Sequence, residues 1–133
     1  MFFLAKYENA STNVDEPKYY DVTAGEACYN GEAMVLTGGK LKKCGTTEKP
    51  QYIAMKSLAN DATNRRIPVV RVDENQLWRV PVSAAPTELV PGMKVTLGGD
   101  ALTVTATTNS GVVTVEDLGG AEKAGDEIYV RIV

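Results

Sequence analysis

The groups best suited to acid–base chemistry are four pairs of adjacent carboxylates. They are Asp15-Glu16, Asp73-Glu74, Glu116-Asp117 and Asp126-Glu127. Successive side chains of a strand point to opposite faces of a sheet, so the two members of a pair do not converge on one substrate proton. All four pairs lie at or near expected turns. We therefore interpret them as solvated turn charges.

Histidine is absent from the chain, and there are two cysteines. Since histidine is the usual general base near neutral pH, Ser-His-Asp and Cys-His catalysis are excluded, as is every zinc site that contains histidine. Two cysteines are also too few for a four-cysteine zinc site. The sequence thus predicts a protein that is not an enzyme and has no catalytic, metal-binding or cofactor-binding residues. An enzyme that uses only carboxylates, lysines or tyrosines is the alternative, and it would need a carboxylate pair in a pocket with perturbed pKa values.

The two cysteines, Cys28 and Cys44, do not form a disulfide framework in a chain of this size. The apolar run at residues 1–5 ends at Lys6, which is too short for a signal-peptide core or a membrane-spanning helix. We therefore expect synthesis in a cytosol and no membrane partner. Both cysteines are expected to be reduced, dispensable and partly buried apolar side chains.

The net charge of the chain does not favour nucleic acid as a partner. A net charge of −3 and a pI near 5.0 do not favour binding to phosphate backbones. Residues 38–43 place glycines beside lysines, but they lack the spacing of a phosphate-binding loop. We interpret these lysines as the exposed side of a strand and expect no nucleic acid partner.

Several aromatic residues have the chemistry of a binding platform. They are Tyr19, Tyr20, Tyr29, Tyr52 and Trp78. Such side chains are enriched in the centres of interfaces and could form a groove for a ligand such as a glycan. Core packing is the default expectation for two or three of them. A non-enzymatic glycan-binding module is therefore an alternative function.

The elements that must position these residues are strands. Valine, isoleucine and threonine alternate with other residues at period two between glycine-containing turns, which predicts an all-β protein. The expected strands are 2–7, 31–37, 40–43, 51–55, 67–72, 77–82, 93–97, 102–106, 112–116 and 128–132. Residues 57–66 are expected to hold one helical turn at most. A small-residue linker at 83–87 would divide a sandwich-like or barrel-like unit, residues 1–82, from a small β-barrel, residues 88–133.

Eight segments carry a resemblance to a known group of proteins. They are FLAKYE at 3–8, YY at 19–20, GEAMVL at 31–36, GKLKK at 39–43, TTEKPQYIA at 46–54, IPVVRV at 67–72, PGMKV at 91–95 and GDEIYV at 125–130. Together they resemble small decoration proteins of tailed-bacteriophage heads. The resemblance implies a structural virion protein that is made in the host bacterial cytoplasm and binds the outer surface of the capsid. It also implies two partners, the major capsid protein and further copies of the chain, often as a trimer. No functional residue carries over, because the shared segments are strand and turn patterns.

The N-terminal strand is the expected interface. Phe2, Phe3 and Leu4 are consecutive, so at least one of them points away from its own sheet. Residues 8–18 are too polar to be expected to cover it. We therefore predict Phe2, Phe3 and Tyr7 as anchors at an oligomer or capsid interface.

Overall fold

A computed structural model describes residues 1–8 and 17–133, and these residues form an all-β fold without helices. The ten strands are β1 (Phe3–Tyr7), β2 (Lys18–Asp21), β3 (Ala33–Thr37), β4 (Lys40–Lys43), β5 (Tyr52–Ala54), β6 (Arg66–Arg71), β7 (Gln76–Pro81), β8 (Lys94–Val95), β9 (Val113–Asp117) and β10 (Glu127–Arg131). Because the described part of the chain contains no helix, it also contains no helix able to cross a membrane.

The strands form two five-stranded antiparallel sheets. Sheet A has the order β1-β7-β10-β9-β8, and sheet B has the order β2-β6-β5-β3-β4. Neither sheet closes on itself within the described residues. The two edge strands of sheet B nevertheless approach each other at one end, where Val22 and Leu41 form an isolated bridge and Thr23 donates a backbone hydrogen bond to the Leu41 carbonyl at 2.9 Å.

Sheet B has a hydrophobic cluster on each face, as the alternating side chains of β3 show. Ala33 and Val35 pack into the larger of two hydrophobic clusters, which sheet A also lines. Met34 belongs to the smaller cluster, and Leu36 packs against it. Since neighbouring side chains of a strand point in opposite directions, one short strand contributes to both clusters. The core therefore lies on the two sides of sheet B.

The sheets are not divided at the expected linker. Sheet A takes β1 and β7 from residues 1–82 and β8, β9 and β10 from residues 88–133. The join is made by antiparallel pairing of β7 with β10, in which Val80 lies opposite Ile128. Isolated bridges from Val104 to Leu97 and to Val82 also connect the segment after β8 with the end of β7. Such long-range pairing leaves no local signal, because any alternating strand can accept several neighbours.

Local features agree more closely with expectation. The β3–β4 hairpin turns at Gly38 and Gly39, whose φ values of 58° and 81° are those that a two-residue hairpin favours. Residues 57–66 contain no helical turn. Two expected strands are shorter in the structure: residues 102–106 form only isolated bridges at Val104, and residues 93–97 are reduced to β8. Strand β2 is an additional strand that the sequence analysis does not predict.

Candidate interaction surface

The N-terminal strand β1 forms one edge of sheet A. It pairs only with β7, with Phe3 opposite Arg79 and Tyr7 opposite Gln76. The register shifts between Leu4 and Lys6, which is a bulge. Among residues 1–8 and 17–133, no strand covers the other edge of β1. An edge of this kind offers backbone donors and acceptors to which an extended segment of another protein can be added.

The first two phenylalanines point in opposite directions. Phe2 is 2% exposed, and its ring meets the Trp78 ring edge-on at a centroid distance of 6.4 Å. The Phe2 backbone N–H also donates to the Gly31 carbonyl at 2.9 Å. Phe2 is therefore part of the core, and its expected role as an interface anchor is corrected. Phe3 is 46% exposed and remains available to a partner.

Phe3 lies in a row of side chains that crosses the outer face of sheet A. The Arg79 guanidinium carbon is 4.6 Å from the centroid of the Phe3 ring, within the range of a cation–π contact. Arg79 Nε also forms an ion pair with Glu127 Oε2 at 2.9 Å. Tyr129 lies opposite Arg79 on the next strand. In this row the Arg79 cation lies between the exposed Phe3 ring and the Glu127 carboxylate.

An open groove of about 560 Å³ lies beside this row. Ala5, Leu77 and Tyr129 give it apolar lining. Lys6 supplies one positive charge, and Glu8, Glu116 and Asp117 supply three carboxylates. Apolar contacts inside a polar border are the usual composition of a protein interface. Tyr7, the third expected anchor, is half-buried at the end of β1.

Arg131 on β10 connects Glu8, next to the end of β1, with β9 and with the turn before β7. Its Nε donates to Glu116 Oε1 at 2.9 Å, its Nη1 donates to the Glu74 carbonyl at 2.7 Å, and its Nη2 donates to Glu8. The hydrogen bond from Arg131 is the largest cause of a lowered pKa at Glu8. Hydrogen bonds to Glu116 and Glu8 in turn raise the pKa of Arg131. Sequence reasoning missed this residue, because an arginine in an alternating strand gives no sign of its partners.

The carboxylate pairs take up turn and ion-pair positions. Asp73 Oδ1 accepts a hydrogen bond from the Asn75 backbone at 3.0 Å. Asp126 Oδ2 accepts one from the Glu122 backbone at 3.0 Å, and Glu116 binds Arg131. The pair at 15–16 lies outside the described residues. Within residues 1–8 and 17–133, no group of three or more histidine, cysteine, aspartate or glutamate side chains is arranged to hold a metal ion.

The structure does not assemble the aromatic residues into one platform. Trp78 is 2% exposed and belongs to the larger cluster. Tyr20 and Tyr52 pack edge-on against each other at a centroid distance of 5.3 Å and contact the smaller cluster. Only Tyr19 and Tyr29 are well exposed.

The cysteines are free and belong to different clusters, with Cys44 in the larger and Cys28 in the smaller. Burial raises the pKa of the Cys44 thiol to about 12 and also raises the pKa of Cys28. A thiol with a raised pKa is a poor nucleophile at neutral pH.

Comparison with known proteins gives a structural match. No family model matches the chain, and no curated protein matches its sequence. A solved structure, the N base of the head fiber gp8.5 of bacteriophage phi29, superposes with a TM-score of 0.60 at 13% sequence identity. The match covers 89% of this chain and 95% of that one. The chain therefore shares its fold with a phage head protein, which confirms the resemblance at the level of the fold.

Proposed function

We propose that this chain is a structural protein of a tailed-phage virion, and that it binds the capsid exterior and stabilises the head. The observation that carries the proposal is the shared fold with the head fiber base, because the match extends over nearly the full length of both chains. The protein is accordingly proposed to be non-enzymatic, to be made in the host bacterial cytoplasm and to reside on the virion surface.

For the architecture we propose a sandwich of the two sheets around the larger cluster. Buried residues of both sheets support this arrangement, among them Ile53 of sheet B and Val80, Val115 and Ile128 of sheet A. Such a body presents the outer face of sheet A and the free edge of β1 to solvent together.

The proposed attachment uses this edge and the neighbouring row. An extended segment of the major capsid protein would pair with β1, and Phe3 with the Arg79 aliphatic stem would give an apolar contact beside it. Full burial of a phenylalanine side chain contributes about 1.5–3 kcal/mol, and Phe3, which is 46% exposed, would gain roughly half of this at an interface. Copies related by symmetry, as in the trimer we propose, would multiply this modest contact through avidity.

The test is co-sedimentation of the purified protein with DNA-free heads of the phage that encodes it. Wild-type protein is expected to saturate the heads at a fixed ratio to the capsid protein, and light scattering is expected to give the mass of a trimer. Phe3→Ser should weaken head binding, whereas Tyr19→Ser, which also removes an exposed aromatic ring that contacts an arginine, should not.

The proposal fails if wild-type protein does not bind heads at all. Saturable binding of sugars by the isolated protein, together with no head binding, would favour a glycan-binding module instead.

A further inference from the structure

A groove of about 340 Å³ brings together charged side chains from separate parts of the chain. It is lined by Glu26 and Tyr29 from the segment before β3, by Glu32 next to that strand, by Lys43 at the end of β4, and by Asp100 and Leu102 from the loop after β8. Three of these six side chains are carboxylates and one is an ammonium group. The groove therefore has an excess of negative charge.

Glu32 is the unusual member of this groove. It is 2% exposed, and its Oε2 atom is buried without a hydrogen-bond partner among the described residues. Its backbone is fixed, because Glu32 N–H donates to the Tyr29 carbonyl at 3.0 Å and Ala54 N–H donates to the Glu32 carbonyl at 2.9 Å. Buried polar atoms in native proteins almost always have a partner, and an unpartnered one calls for an explanation. Glu32 thus offers an acceptor oxygen that no described donor of the chain uses.

Asp100 lines the same groove, but its pKa is lowered, whereas the pKa of Glu32 is raised. Partial burial works against its charge, but hydrogen bonds from the Leu102 backbone at 2.9 Å and from Thr103 Oγ1 at 3.0 Å outweigh burial and lower its pKa. The loop is held in place where Ala33 N–H donates to the Ala101 carbonyl at 2.8 Å. Asp100 therefore carries a negative charge at a fixed position at neutral pH.

We propose that this groove binds an alkylammonium group, either the lysine side chain of a protein partner or a free amine. The unpartnered Glu32 oxygen and the fixed Asp100 carboxylate would accept hydrogen bonds from the ammonium, and Glu26 would add negative charge. Tyr29 and Leu102 would contact the methylene stem, as apolar surfaces do for buried lysine stems. A metal ion is the less suitable occupant, because the described carboxylates are not arranged as a metal site. This inference does not depend on the proposed function.

Binding should be coupled to the ionisation of Glu32. Burial is the largest cause that raises the pKa of Glu32, to about 7, with Lys43 lowering it and Glu26 and Asp100 raising it. An ammonium ligand prefers the ionised carboxylate, which is about a tenth of the population at pH 6 and about nine-tenths at pH 8. The affinity for an alkylammonium is therefore expected to rise about tenfold between these pH values.

The experiment is an NMR titration of the backbone amides of the full chain. The probes are the blocked peptide Ac-Gly-Lys-Gly-NH2, the diamine putrescine, and the same peptide with uncharged norleucine in place of lysine. The proposal expects the two amines to shift amides at Glu32 and Asp100, and the norleucine peptide to leave them unchanged. Tighter binding of the peptide would indicate a protein partner, and tighter binding of putrescine would indicate a free amine.

Substitutions of groove residues test whether the amines bind in this groove. Glu32→Gln and Asp100→Asn should each weaken amine binding at least tenfold, while Glu88→Gln, at an exposed site outside the groove, should not change it. Glu32→Gln removes a buried charge, so its fold is expected to survive, and Asp100→Asn is an independent variant. Any one of three results overturns the proposal: no amide shifts with either amine, equal shifts with norleucine, or tight binding of calcium chloride at the same amides.

Discussion

Replacing Glu32 with glutamine is expected to stabilise the protein at pH 8 and to leave its stability nearly unchanged at pH 4. Glu32 is buried without a partner for Oε2, and burial is the main cause that raises its pKa from the ordinary value of 4.5 to about 7. Below pH 4.5 the carboxyl is neutral in both the folded and the unfolded chain. As the pH rises from 4.5 towards 7, the unfolded chain loses this proton before the folded chain does, so the free energy of unfolding falls.

The size of the effect follows from the same two values. The interval from 4.5 to about 7, at about 1.4 kcal/mol per pH unit, gives an upper bound of about 3.5 kcal/mol for the wild-type loss above pH 7. The attraction between Glu32 and Lys43 lowers the pKa of Glu32, and the value of about 7 already includes this effect. Glutamine keeps the size of the side chain and its unpartnered polar group but cannot ionise. We expect Glu32→Gln to recover about 1–3 kcal/mol at pH 8.

The assay is urea denaturation of both proteins at pH 4 and pH 8, with Glu88→Gln as the control for loss of one carboxylate at an exposed site. The difference between Glu32→Gln and wild type should appear at pH 8 and vanish at pH 4, whereas the control should show no such change. The reasoning is refuted if Glu32→Gln is less stable than wild type at pH 8, or if its effect is the same at both pH values.

Three further predictions concern sheet A and the cysteines. Phe2→Ser should lower the free energy of unfolding by about 3 kcal/mol or more in chemical denaturation, whereas Phe3→Ser should change it by less than about 0.5 kcal/mol. Equal effects would contradict the finding that the Phe2 ring is buried and the Phe3 ring is exposed. Arg131→Met should raise the pKa of Glu8 towards its ordinary value in an NMR titration and speed hydrogen exchange in β1, and an unchanged Glu8 titration would show that the contact does not form in solution. Replacing both cysteines with serine should leave the protein folded, and a thiol count on freshly purified wild-type protein should find both thiols free; a count of zero would contradict the prediction.

The sequence predicts those parts of the fold that are encoded locally. Alternation identifies most strands, and Gly38-Gly39 identifies the β3–β4 hairpin, because positive φ and a two-residue turn are local requirements. The partnership of β7 with β10 joins segments on both sides of residues 83–87, and alternation is compatible with many such partners. Alternation therefore could not predict that sheet A takes strands from both expected units.

The candidate sites show the same limit at the level of side chains. Consecutive phenylalanines indicate that one ring points outward, but only the pleat decides that it is Phe3 and not Phe2. The partners of Arg131 and the burial of Glu32 depend on segments far away in the chain. No spacing in the sequence could have indicated them.

The central claim, that this chain is a capsid-binding structural protein, is tested most directly by a cryo-electron microscopy reconstruction of heads incubated with the purified protein. The account predicts density for the ten-strand body at symmetry-related positions on the outer surface, with β1 and the outer face of sheet A turned towards the capsid protein. Heads without added external density at saturating protein would contradict the claim.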